Sequence, residues 1–187
     1  MTTAEMLTHV RMLLDESSAS FWGDSDIYLA LTNGQKAVVS YLANSKKHDL
    51  LRPLAKTTNY NYNQLTIPSD YFIFISCRVN GATNVMLRTG DIYAKQANSY
   101  LAGSSVNPFM YPRGGYFVFE PTLSTGTYDI QYYSVPADIA LGVNPTLSAM
   151  THDAMCQYAF AELLLRDTKH QESALEFKKF TDMVSIL

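Results

Sequence analysis

Helical patterns occupy the two ends of this chain and strand patterns its middle, and that order limits the fold more than any other feature. Residues 3–15 and 25–44 carry apolar positions at helical spacing, residues 54–136 read mostly as strands and turns, and residues 150–186 return to helical spacing. Neither end pair can bury its apolar stripe alone. The order therefore predicts an α+β fold: a helical bundle formed by the N-terminal and C-terminal helix pairs, with an antiparallel β insertion between them. The expected domains are residues 1–50 and 145–187 for the helical bundle, and 51–144 for an inserted β-rich domain with one short helix.

Local signals refine this outline. Thr2-Thr3-Ala4-Glu5 reads as a capping box, followed by Met6, Leu7, Val10, Leu13 and Leu14 at helical spacing. Asp24 or Ser25 can cap the second helix, whose stripe includes Ile27, Leu31, Gly34, Val38 and Leu42. Gly34 inside that helix costs about 1 kcal/mol relative to Ala, which a close helix–helix approach would account for. In the middle, strands are expected near 54–60, 64–67, 71–79, 85–88, 116–119 and 128–135, with 71–79 as a buried strand. Asn80-Gly81 is a strong turn signal, and 91–101 reads as the short helix. The 150–166 helix is apolar around most of its girth and needs cover on several sides. The last helix places Ala174, Phe177, Phe180, Thr181, Val184 and Leu187 on one face. Its apolar end at 183–187 implies docking, onto its own domain or onto a partner.

Composition excludes several classes. An apolar fraction of 47% with 17% charged residues builds a core and argues against disorder. A net charge of −3 argues against a dedicated nucleic-acid binder. The runs Lys46-Lys47-His48 and Lys178-Lys179 read as solvated helix ends. Cys77 and Cys156 form no CxxC and are expected to be buried, reduced thiols. The chain has neither a signal-peptide layout nor an apolar run near the ~20 residues of a membrane span, so it is expected to be made in the cytoplasm and to meet no membrane. Aromatics reach 12% and cluster in the middle, where Tyr and Phe suit pleated surfaces and protein interfaces.

The chemical inventory is empty. His9, His48, His152 and His170 have no second ligand at metal spacing. Arg113-Gly114-Gly115 is a hairpin turn without the helix that phosphate binding needs, and no GxSxG elbow occurs. Asp24/Asp26 and Glu162/Asp167 read as helix-end charges. The expectation is a protein that is not an enzyme and holds no cofactor and no metal. Two alternatives remain: a β-module binding carbohydrate or another protein through its Tyr-rich strands, and an enzyme whose site assembles from distant residues.

Several weak motifs then fall in a fixed order. Trp22-Gly23-Asp24-Ser25-Asp26-Ile27 opens the long second helix. Leu65-Thr66-Ile67-Pro68-Ser69-Asp70-Tyr71 leads into the 71–79 strand. Phe117-Val118-Phe119-Glu120-Pro121 and Tyr132-Tyr133-Ser134-Val135-Pro136 follow, and two helices close the chain. In this order the chain resembles the bacteriophage head–tail adaptor, or connector, proteins of the virion neck. The resemblance implies a structural protein made in the host cytoplasm and carried in the virion. It implies a homo-oligomeric ring of about twelve copies closed by heterologous contacts. The portal protein would bind one side and tail or nozzle proteins the other, with DNA passing through the lumen without specific binding. On that reading, Trp22, Asp24, Phe177, Phe180, Met183, Val184 and Leu187 are the candidate oligomer or portal contacts.

Overall fold

A computed structural model describes residues 1–16, 21–60, 64–81, 83–87, 103–104, 108–121 and 127–187. Two compact units emerge. One joins Met1–Leu54 to Val135–Leu187, and the other is Ala55–Ser134.

The first unit is helical. It contains α1 (Thr3–Leu13), α2 (Asp24–Asn44), α3 (His152–Arg166) and α4 (His170–Ile186), with short 3-10 turns at His48–Leu54 and Ala149–Thr151. The capping box forms as the sequence implies: Glu5 N–H donates to Thr2 Oγ1 at 3.3 Å, and Thr2 N–H donates to the Glu5 carboxylate at 2.6 Å. At α2 the cap is Gly23 instead of Asp24 or Ser25, because the Gly23 N–H reaches the Asp26 carboxylate at 3.1 Å. Three helices end in the same way without a glycine. Asp15, Lys46 and Thr168 take left-handed backbone with φ of 57°, 58° and 63°. In each case the next N–H closes back onto the helix, as in Glu16 to Arg11 O, Lys47 to Leu42 O and Lys169 to Leu164 O.

Helix α3 is the centre of this unit and packs against α1, α2 and α4. Its apolar girth is thereby explained: Ala154, Met155, Cys156, Ala159, Ala161 and Leu163 are all buried. Gly34 marks the crossing with α2. A Cβ built there would stand 2.7 Å from the Met155 carbonyl oxygen, so the backbones meet where only glycine fits. The segment between Ser134 and α3 is strapped to the helices by buried polar side chains. Gln35 donates to Ala137 O at 2.8 Å and accepts from Thr146 N–H at 3.1 Å, while Thr32 Oγ1 accepts from Ile139 N–H at 2.9 Å.

The second unit is a seven-stranded sheet: β1 (Ala55–Tyr60), β2 (Gln64–Thr66), β3 (Tyr71–Val79), β4 (Thr83–Leu87), β5 (Phe109–Arg113), β6 (Tyr116–Glu120) and β7 (Tyr128–Ser134). The strand order is β1-β7-β3-β4-β5-β6-β2. All pairs are antiparallel except β4–β5, which is parallel, with Met86 opposite Phe109. The Asn80-Gly81 turn takes φ of 50° and 70°, joining β3 to β4. Leu65, Cys77, Met110, Phe117, Tyr128 and Ile130 form the centre of the sheet's core.

This arrangement corrects the expected fold class. The fold is α+β with a large sheet that forms a unit with its own core, not a helical bundle carrying an antiparallel insertion. The expectation failed because the order of strands in this sheet does not follow their order along the chain. β7 instead lies between β1 and β3, and the parallel β4–β5 pair admits no hairpin. The strand expected to be buried at 71–79 has only Cys77 and Val79 buried. The expected 91–101 helix lies outside the described residues.

Candidate functional site

Two of the motifs that carried the resemblance, Trp22–Ile27 and Leu65–Tyr71, are joints. Arg11 on α1 donates to the Trp22 carbonyl at 3.1 Å, pairs with Asp24, and lies 3.6 Å from the Glu16 carboxylate. Ile27, the last residue of that motif, is fully buried. The Trp22–Ile27 stretch therefore fixes how α2 leaves α1. In the sheet, Ile67 N–H donates to Gly115 O at 2.9 Å, and the Tyr132 hydroxyl donates to the Asp70 carboxylate at 3.0 Å. Asp70 also pairs with Lys56. That hydrogen bond is the main cause holding the Asp70 carboxyl below its ordinary pKa and the Lys56 ammonium above its own. Asp70 thus ties β1, β3 and β7 together at one point.

Beside the first joint the helical unit carries a cleft of about 360 Å³ lined by both apolar and charged residues. Its floor is Leu13, Leu14, Phe160, Leu163 and Leu164, and its wall is Phe21 with Trp22. Phe21 is 66% exposed and meets Trp22 edge-on, with ring centroids 5.0 Å apart. Asp15, Glu16, Asp167 and Glu172 rim the cleft, against one cation, Lys169, which pairs with Asp167 at 2.8 Å. Met12, Leu29 and Leu165 are further exposed apolar residues on α1, α2 and α3.

The sequence candidates divide. Trp22 lines the cleft, and Asp24 stands next to it, bound to Arg11. Phe177 and Phe180 instead pack on Tyr158 of α3, with centroids 5.2 and 5.1 Å apart, and Val184 is wholly buried. Met183 and Leu187 are half-buried. The last helix therefore docks on its own unit. Its buried face is Ser173, Phe180 and Val184, with Ala174 and Thr181 exposed, because the Ser173 hydroxyl donates to the Ala161 carbonyl at 2.8 Å. Polar Ser173 hid that face from a reading of apolar periodicity. Sequence reasoning also missed Phe21 as the exposed partner of Trp22; an aromatic pair ahead of a helix cap was the available signal.

Groups with potential chemistry are occupied structurally. Glu162 accepts from Asn33 at 3.0 Å and pairs with Arg166, and Asp26 serves the Gly23 amide. Burial pushes the thiols of Cys77 and Cys156 up to about 12, so both stay protonated. Among the described residues, no three His, Cys, Asp or Glu gather as a metal site, and no helix is long and apolar enough to cross a membrane. The tyrosines offered as a sugar platform are mostly internal: Tyr111, Tyr128, Tyr132 and Tyr133 are buried. Tyr60 and Tyr62 lie outside the described side chains.

No curated protein matches the chain. A comparison with known protein families, in contrast, matches its full length. Residues 1–187 fit the SU10 adaptor protein family, a family of phage head–tail adaptors, and the chain belongs to that family.

Proposed function

We propose that the protein forms a ring of about twelve copies between the portal and the tail of a phage, leaving a channel through which DNA passes. Membership of an adaptor family makes it a structural component of the virion that works by contact with other head and tail proteins. The match of all 187 residues to that family is the observation that carries the reading. The role is mechanical, not catalytic. Its supports are the joints that fix α1 to α2 and β1 to β7, which hold each unit's surfaces at set angles.

Of the sequence candidates, Trp22, Asp24, Met183 and Leu187 keep accessible surface and serve as contacts to neighbours or to the portal. Phe177, Phe180 and Val184 hold α4 in place behind them. Cryo-electron microscopy of the protein bound to its cognate portal tests this. A closed ring with an open lumen is the expected image. Failure of the two proteins to co-purify, or a globular complex without a lumen, would overturn it.

A further inference from the structure

The chain contains two Asn-Gly pairs, Asn33-Gly34 and Asn80-Gly81, and the fold gives them contrasting surroundings. In such a pair the asparagine side chain can close on the next amide nitrogen, because glycine puts no side chain in the way. Asn33-Gly34 lies inside α2, where the Gly34 N–H is committed to the helical ladder. A Cβ at Gly34 would already meet the Met155 carbonyl oxygen at 2.7 Å, so the crossing leaves no room for a ring. The Asn33 amide is also pinned, donating to both Glu162 oxygens at 3.0 and 3.1 Å. Ring closure there requires α2 to open.

Asn80-Gly81 is exposed and lies between the end of β3 at Val79 and the start of β4 at Thr83. Among the described residues, nothing stands within 4 Å of the place a Gly81 Cβ would take. Val79 and Tyr128 are the last paired residues of β3 and β7, and Asn80 adds one more step with its side chain. Its N–H donates to Thr127 O at 2.8 Å, and its Oδ1 accepts from Thr127 N–H at 3.0 Å, with the Thr127 hydroxyl at 3.5 Å. Those donors polarise the side-chain carbonyl and would stabilise negative charge growing on Oδ1.

We infer that Asn80-Gly81 is a site of spontaneous deamidation and that Asn33-Gly34 is protected by the fold. The Gly81 nitrogen attacks Asn80 Cγ, a new C–N bond forms, and Nδ2 leaves as ammonia with the proton that nitrogen gives up. Water then opens the resulting succinimide at either carbonyl, giving aspartate or isoaspartate; the net change is amide plus water to acid plus ammonia. Aspartate keeps an acceptor for Thr127 and adds one negative charge to the turn. Isoaspartate carries the main chain through the side-chain carbons and loosens the last step of the β3–β7 ladder.

Peptide mapping by mass spectrometry tests this, on folded wild-type protein held in warm, mildly alkaline buffer and on the same chain unfolded in urea. In the folded chain, the mass gain of an amide exchanged for an acid should appear at Asn80 about tenfold or more faster than at Asn33, which reacts only from an opened α2. In urea the two pairs should convert at matching rates. Asn80→Gln, whose longer side chain must close a larger ring, should lose the gain in that peptide. A folded chain in which Asn80 stays intact overturns the inference, as does one in which Asn33 keeps pace with Asn80 or in which the gain survives Asn80→Gln.

Discussion

Replacing Gly34 by alanine sets two effects of known size against each other. In an isolated helix the change stabilises by about 1 kcal/mol, because glycine loses more backbone freedom on folding. Here the new methyl would stand 2.7 Å from the Met155 carbonyl oxygen and 3.4 Å from its carbon and Cα. Ordinary contact starts near 3.4 Å, so α2 and α3 must part by roughly 0.5–0.7 Å at their crossing. The obstacle is backbone, so no rotamer change relieves it. Overpacking of a core typically costs about 1–3 kcal/mol, and a rigid obstacle places this site toward the upper end. The expected net effect is a loss of about 1–2 kcal/mol in the helical unit. Urea unfolding followed by helical circular dichroism measures it, with Ala37→Gly on the same helix calibrating the propensity term at about 1 kcal/mol. A Gly34→Ala midpoint equal to or above wild type, at unchanged slope, would refute the close crossing.

Thr168 ends α3 with φ of 63°, costly for a β-branched residue, so Thr168→Gly should stabilise by about 1 kcal/mol in the same assay. Gln35→Met leaves the Ala137 carbonyl and the Thr146 amide without their partner and should cost about 2–4 kcal/mol, read as a lowered thermal midpoint. Because Asp70 has a depressed folded pKa, its stabilising contribution is complete above the ordinary carboxylate range and is lost as pH falls through the lowered value. Asp70→Asn should therefore flatten the acid side of the sheet unit's stability profile, followed by near-ultraviolet dichroism of its tyrosines. Cys77 and Cys156 should resist iodoacetamide in the folded protein and react once it unfolds.

Local chemistry made much of the chain legible. The Thr2–Glu5 box, the Asn80-Gly81 turn and the need for a tight crossing at Gly34 each follow from a few neighbouring residues, and each is found. Strand pairing was not legible, because the partner of Tyr128–Ser134 is chosen by side chains far away in sequence. Lys56 and Tyr132, for example, are opposed in register although 70 and more residues lie between them. On the C-terminal helix the expected face included the buried Phe180 and Val184, but it took exposed Ala174 and Thr181 and missed Ser173, a buried serine doing a structural job that hydropathy does not register. The cleft was half visible: Trp22 and Asp24 pointed to its place, while its floor comes from α1 and α3, elements separated by the whole sheet.

That separation sets a schedule for synthesis. Helices α1 and α2 leave the ribosome first, yet the surface they bury belongs to α3, which begins at His152. The sheet cannot close until Ser134 has been made, because its last strand lies between its first and third. About one hundred residues must follow Leu54 before α2 meets its partner, which takes roughly 5–20 s at bacterial elongation rates. Through that interval the nascent chain holds Ile27, Leu31, Val38 and Leu42 in water, and the sheet can finish while the helices wait. The chain is thus most open to holdase binding, or to mispairing with a neighbouring nascent copy, late in translation; ribosome profiling of chaperone-bound chains should show protection of residues 24–44 ending only as α3 emerges.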